Sequence, residues 1–313
     1  MKRHPLRRKL DRLAGRFFLF TSFAIIKILP ERLFYHFALA LGNLAYYILN
    51  KHRTLVVDNL KRAFGNSKTK AEYQRIAKEV FRQIALGGCE TVITILYKHR
   101  EQIKDEIKVQ GLENLQKALK KGKGVIALSA HFGSFTQMCV RLSQEDFSFK
   151  TVIRDPDDEV VTEFFIKLRK RLNVEFISAR PRNVCVKNSL EYLHQNGVLC
   201  LMADQSKSGG ILVKFFGQLV ATVAGPAVMA LRTGAPIVPL FIIREGRASH
   251  KIVIHPSLEI PLIGDNDKDI FKISQKFTNI IEDYARRYPE QWWWVHQRWK
   301  HAPKEPSALM ADS

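Results

Sequence analysis

The chain has 313 residues, 46% of them hydrophobic, enough for one sizeable α/β core or for such a core with a small appended element. Fifty Lys and Arg against thirty Asp and Glu give a formal charge of +20, which calls for an anionic partner: nucleic acid, an acidic lipid surface or an acidic protein. The four cysteines, Cys89, Cys139, Cys185 and Cys200, have no CxxC spacing and no histidine at ligand intervals, which argues against a metal site or a disulfide framework and for a reducing compartment.

Residues 1–16 carry seven Lys or Arg against one Asp, and two apolar runs follow at 17–30 and 33–50, parted by Pro30-Glu31-Arg32. Neither run reaches the roughly twenty apolar residues of a comfortable transmembrane helix. The first also contains Lys27. A helix lying in or dipping into the bilayer fits at least as well as a span, with the basic flank on the cytoplasmic side. A cleaved signal peptide is disfavoured, because no small-residue cleavage site follows the first run. A pair of buried core helices would explain the same apolarity. The basic flank and the aromatics Phe34, Tyr35, Tyr46 and Tyr47 favour a membrane interface.

From Lys51 to about Lys108 the pattern is helical and amphipathic. Leu55, Val56, Leu60 and Phe64 fall at helical spacing, and a second helical run follows the breaker Gly65-Asn66-Ser67. Beyond Gly124 short apolar runs alternate with amphipathic stretches. Strands are expected at 124–130, 151–154, 174–178, 198–203, 237–243 and 252–254, and helices near 158–172, 184–195 and 223–233. This alternation predicts an α/β fold, a mixed sheet with a parallel centre flanked by helices. The expected divisions are 1–50 as a basic, membrane-associated segment, 51–120 as helical scaffold, 121–302 as the α/β core and 303–313 as a loose tail.

The stretch SAHFGSFT at 129–136 places His131 one residue past an expected strand end, with a helix starting near Ser134. Strand carboxyl ends are where ligands bind in open α/β sheets. Helix N–H groups nearby can steady an anion, and an imidazole can take a proton from a hydroxyl near neutral pH. A histidine filling a polar corner or capping the helix would look the same in isolation.

Other residues break the tie. The strand followed by SAHFGSF resembles the His-x4-acid motif of glycerolipid acyltransferases. The remainder resembles one branch of that superfamily, the late acyltransferases of lipid A biosynthesis. The resemblance runs from about residue 17 to residue 300 and is carried by the segment KHRTLVVDNLKRAF at 51–64, by Asp204-Gln205, by Phe215-Phe216-Gly217 followed by Thr222 and Gly225, by Thr233-Gly234-Ala235-Pro236 before a strand ending in Arg244, and by PEQWWWVHQRWK at 289–300. Each motif is weak alone; their order and spacing are specific. The chain departs from the family where Thr136 stands in place of Asp or Glu, and Ser134 and Phe135 stand in place of Asn and Trp. Thr136 can bond to a neighbour but cannot supply negative charge. Three explanations remain open: the histidine works without a charged partner, a carboxylate from elsewhere replaces it, or acyl transfer has been lost. The nearest replacement is Asp204, because it ends the strand at 198–203 and could share a sheet edge with His131.

The resemblance implies acyl transfer, with His131 and Asp204 as catalytic residues and Arg154, Arg169, Gln205, Thr222 and Thr136 as substrate-binding ones. His131 would act as general base on an acceptor hydroxyl, and helix N–H groups or an arginine would stabilise the oxyanion. Arg154 suits a phosphate, and equally a salt bridge to Asp155, Asp157 or Asp158. Arg169 or Arg171 matches a family arginine that precedes a glycine, here Asn173. The implied donor is acyl carrier protein or acyl-coenzyme A, and the implied acceptor is a lipid at the cytoplasmic face of a bacterial inner membrane. No metal or other cofactor is expected. Nucleic acid is disfavoured, because the basic residues are spread along the chain and no nucleic-acid motif is present. A lipid-binding protein that keeps the fold without the chemistry is the alternative, and Thr136 is its one argument. The tryptophans at 292–294 could form an interfacial belt or pack the last segment onto the core.

Overall fold

Three runs, VIALS, VLCLM and IVPLFIIR, are almost wholly buried, as strands covered on both faces must be. They form the centre of a computed structural model that describes residues 5–97, 100–261 and 263–303. The expected tail falls outside the described residues from 304 onward.

Five helices come first: α1 (Pro5–Ile28), α2 (Glu31–Ile48), α3 (Asn50–Phe64), α4 (Lys70–Tyr97) and the short α5 (Arg100–Glu106). The core then alternates β1 (Ile107–Gln110), α6 (Leu112–Leu119), β2 (Val125–Ser129), α7 (Phe135–Leu142), β3 (Phe149–Ile153), α8 (Glu159–Arg171), β4 (Glu175–Ser178), α9 (Arg182–His194) and β5 (Val198–Met202). A hairpin of β6 (Ile211–Phe215) and β7 (Gln218–Thr222) follows, then α10 (Gly225–Thr233), β8 (Ile237–Arg244), β9 (His250–Ile254) and α11 (Asn266–Arg287). Among the described residues seven strands make one sheet in the order β1-β9-β8-β2-β5-β3-β4. All neighbours are parallel except β8 and β9. The sheet is thus mixed with a parallel centre, as the alternating pattern predicts.

One register positions the site. Ser129 of β2 lies opposite Met202 of β5, and the Ala203 N–H donates to the Ser129 carbonyl at 2.9 Å. The two chains therefore leave the sheet side by side, Ala130-His131 from one and Ala203-Asp204 from the other. Beyond His131 the backbone turns through Gly133 at φ 50°, where a Cβ would come 2.7 Å from the Ile242 carbonyl, so only glycine fits.

The helices stack behind this edge. Gly42 lets α2 close on α4, since a Cβ there would meet the Arg82 backbone at 2.7 Å. Ile26, Phe34, Ala38, Leu86, Cys89 and Ile93 bury a small core shared by α1, α2 and α4. α1 also reaches across to α8: the Arg16 guanidinium pairs with the Asp158 carboxylate at 3.0 Å, and Phe20 and Phe23 meet Phe164 edge to face. Among the described residues α4 is the one helix long and apolar enough to cross a membrane. One side of it packs into the core, burying Tyr73, Ile76, Val80, Phe81 and Leu86. The apolar runs at 17–30 and 33–50 fall on α1 and α2, which expose Phe17, Phe18 and Ile28, and Leu44, Tyr47 and Ile48.

Candidate functional site

The β2–β5 register brings His131 and Asp204 together. Nδ1 of His131 lies 2.8 Å from Oδ1 of Asp204, whose side chain is wholly buried while the imidazole is 18% exposed. The backbone N–H of His131 and the Trp292 indole N–H both donate to Oδ2 of the same carboxylate, each at 3.0 Å. Burial alone would push the Asp204 pKa up; the charge and hydrogen bonds of His131, with His296 beyond, outweigh it and hold the carboxyl at about 2. Burial likewise opposes the charged imidazole, and the Asp204 carboxylate overcomes it, leaving the His131 pKa above the ordinary histidine value. A carboxylate that accepts from Nδ1–H fixes the tautomer and leaves Nε2 with its lone pair.

Thr136 bonds to α4 instead of to the histidine. Its hydroxyl is 2.5 Å from that of Thr91, whose own proton goes to the Gly87 carbonyl at 2.8 Å, so Thr136 is the donor. A second acid, Glu90, stands on α4. Glu90 accepts from Ser134 Oγ at 2.7 Å, is gripped by both terminal nitrogens of Arg244, and has His250 Nε2 at 3.4 Å. Burial raises the Glu90 pKa, but Arg244 and His250 outweigh it and bring it to about 2. This cluster ties α7, α4 and β8 together and does not touch His131. Its signal in the sequence was Glu90 itself, the one charge between Arg82 and Lys98.

The other expected site residues divide. His131, Thr136, Arg154, Arg169 and Gln205 line one cleft of about 1010 Å³. Its walls are largely apolar and include Ile26 of α1, Ile95 of α4, Val140 of α7 and Phe164 of α8. Arg154 is exposed at its rim. The three neighbouring acids are each held elsewhere, Asp155 by Arg169, Asp157 by Arg180 and Asp158 by Arg16. That leaves the Arg154 guanidinium without an ion-pair partner among the described residues. Arg169 is half committed: besides its 2.7 Å bond to Asp155 it stacks over Phe176 at 4.1 Å. Arg171 is exposed, and Asn173 adopts φ 54°, the left-handed conformation that explains a glycine at the matching family position. Thr222 does not reach the cleft. It is fully buried behind Asp204, where its hydroxyl takes a 3.1 Å bond from the buried Arg298. Burial lowers the Arg298 pKa to about 10, partly offset by Asp204.

Sequence reasoning passed over Trp292, His296 and Arg298 as site residues. Trp292, Trp294 and Trp299 are buried, so the segment packs onto the core; only Trp293 turns outward, toward His131 at 5.7 Å between ring centroids.

A largely apolar cleft at the carboxyl edge of an α/β sheet is where such a fold binds a ligand, and its lining suits one with an apolar body. The comparisons give the family. Residues 1–301 match the profile described as bacterial lipid A biosynthesis acyltransferase, and the chain belongs to that family. The lipid A biosynthesis palmitoleoyltransferase of Escherichia coli (strain K12) is 23% identical over 273 residues, covering 86% of this chain and 85% of that protein. The lauroyltransferase of the same organism is 22% identical over 285 residues, 88% of each. A phosphatidylinositol mannoside acyltransferase of Mycobacterium tuberculosis (strain ATCC 25618 / H37Rv) is 27% identical over 232 residues, 72% of this chain and 67% of that one.

Proposed function

We propose that the protein moves a fatty acyl chain from an acyl thioester to a hydroxyl of a lipid A precursor or a related glycolipid or lysolipid, with His131 as general base and Asp204 as its orienting carboxylate. The observation that carries this reading is the 2.8 Å contact between His131 Nδ1 and a buried, three-donor carboxylate at the mouth of an apolar cleft. His131 Nε2 takes the proton of the acceptor hydroxyl as its oxygen attacks the thioester carbonyl. The tetrahedral oxyanion then collapses, the C–S bond breaks, and the imidazolium returns the proton to the departing thiolate. The cleft accommodates the acyl chain. Arg154, unpaired at the rim, suits the phosphate of an acceptor or of a phosphopantetheine arm. Acyl carrier protein or acyl-coenzyme A is the donor, and the +20 charge suits an acidic one. Purified protein incubated with either donor and with a lipid A precursor or a phosphatidylinositol mannoside should add the mass of one acyl chain. If no lipid acceptor gains that mass from either donor, the reading fails and the lipid-binding alternative takes its place.

Thr136→Glu tests whether the position still needs an acid. With Asp204 already on Nδ1, a second carboxylate gains nothing from His131 and displaces the hydroxyl pair with Thr91. The turnover number should stay level or fall, by about tenfold at most. A rise would show that His131 lacks a working partner.

We also place the protein at the cytoplasmic face of the bacterial inner membrane, held by α1 and α2 as an interfacial segment distinct from the scaffold and the α/β core. In support, Phe17 is 74% and Ile28 82% exposed, beside a basic flank. Deleting residues 1–50 would also strip the buried Phe34, Ala38 and Tyr46, so point changes are the cleaner probe. Phe17→Ser with Ile28→Ser should shift protein from the membrane pellet to the supernatant without lowering the melting temperature. Unchanged sedimentation would place the anchor elsewhere.

A further inference from the structure

We infer that the Gln205 carboxamide donates to the oxyanion of the reaction and that His296 aims it. The inference rests on His131 being the base. With its Nδ1 proton committed to Asp204, neutral His131 has a lone pair on Nε2, and the atom facing that lone pair is Gln205 Nε2 at 3.5 Å. The same amide nitrogen lies 3.0 Å from His296 Nε2. An amide nitrogen only donates, so its two N–H bonds point one to each imidazole, and His296 must accept through its own Nε2.

The two contacts are unequal. At 3.0 Å the bond to His296 is an ordinary one; at 3.5 Å the approach to His131 is at the limit of a hydrogen bond. The carboxamide is thus anchored on His296 and only leans on the base. An acceptor hydroxyl arriving at His131 Nε2 displaces the weak contact and keeps the strong one. The freed N–H then sits beside the attacking oxygen, where the thioester carbonyl gains its negative charge. A donor placed before the charge develops is what lowers such a barrier.

His296 is built to hold that aim. Its backbone carbonyl accepts from the Asn59 side chain at 2.7 Å, and Asn59 also donates to the Trp294 carbonyl at 2.8 Å, clamping the segment to α3. Its ring stacks on Trp293, with centroids 5.9 Å apart and planes 23° from parallel. Burial and the neighbouring His131 keep its pKa below the ordinary histidine value against the pull of Asp204, so it remains the neutral acceptor that the carboxamide requires. Two backbone donors at this corner are already engaged, the His131 N–H with Asp204 at 3.0 Å and the Gly133 N–H with the Gln291 carbonyl at 2.8 Å.

The test is a cycle of Gln205→Ala, His296→Phe and the double variant, run as single turnovers of the full-length protein with the donor and acceptor pair active in the mass assay. Phe keeps the ring on Trp293 and removes the nitrogen. Gln205→Ala should lower the chemical rate about 100-fold with KM changed by about twofold or less, as for removal of one oxyanion donor. His296→Phe should lower it about tenfold, and the double variant should be no slower than Gln205→Ala, because one residue acts through the other. Equal melting temperatures would set a loss of fold aside. A Gln205→Ala rate within about twofold of the parent, or losses that multiply in the double variant, would overturn the inference. Full activity in His131→Ala would instead overturn the base assignment on which it rests.

Discussion

His131→Ala should reduce kcat/KM for acyl transfer by about 10³-fold or more, the range in which positioned general bases act. The imidazole has no substitute at this edge. The neighbouring imidazole, His296, has its Nε2 engaged by Gln205 and stands at 5.1 Å between ring centroids. The substitution also has a structural cost, because it leaves a wholly buried carboxylate with two donors where it had three. A lower melting temperature is therefore expected along with the lost activity. His131→Gln separates the two effects: its amide can still donate to Asp204 but cannot act as a base at neutral pH. An inactive His131→Gln with a near-parental melting temperature is the expected result. An active one would remove the histidine from the chemistry.

Asp204→Asn should lower the turnover number by about 10⁴-fold while leaving KM nearly unchanged, by analogy with the orienting aspartate of serine hydrolases. The local donors force this outcome. Two N–H groups, from Trp292 and from the His131 backbone, point at the Oδ2 position, so the amide oxygen of Asn must settle there. Its NH2 group then faces His131 Nδ1 and takes the lone pair on that side. The proton moves to Nε2, and the base is in the wrong tautomer. The pH profile supplies a second readout. Asp204 stabilises the imidazolium and raises the His131 pKa, so parental activity should climb with pH through a midpoint above the ordinary histidine value. In Asp204→Asn the residual activity should climb at lower pH. An unshifted acid limb would mean that another group sets it.

The central strands were legible because a strand buried on both faces writes itself as an unbroken apolar run. The position of His131 and its nearness to Asp204 followed from where two such runs stop. β1 was not legible: it is a four-residue edge strand, IKVQ, with too few alternations to show a period. The β6–β7 hairpin was concealed by its turn, where Phe216 at φ 51° and Gly217 at φ 73° make the reversal without an Asn-Gly or Asp-Gly signature. α11 was legible and passed over, since Ile273, Phe277, Ile281 and Tyr284 recur at helical spacing. Trp292, His296, Glu90 and Arg298 were out of reach for a different reason. Their partners lie 88 positions away for Trp292 and Asp204, and 154 for Arg244 and Glu90, and only the folded sheet edge brings them together.

The cleft wall supplied by α1 bears on how the protein has to be handled at the bench. Ile26 faces inward and Phe17 outward from the same helix, so the surface proposed to meet lipid is continuous with the wall proposed to enclose the acyl chain. A single-chain detergent is itself an alkyl tail with a polar head. On that reading detergent should solvate the outside of α1 and compete for the inside, so rates in micelles should fall below those in a bilayer disc.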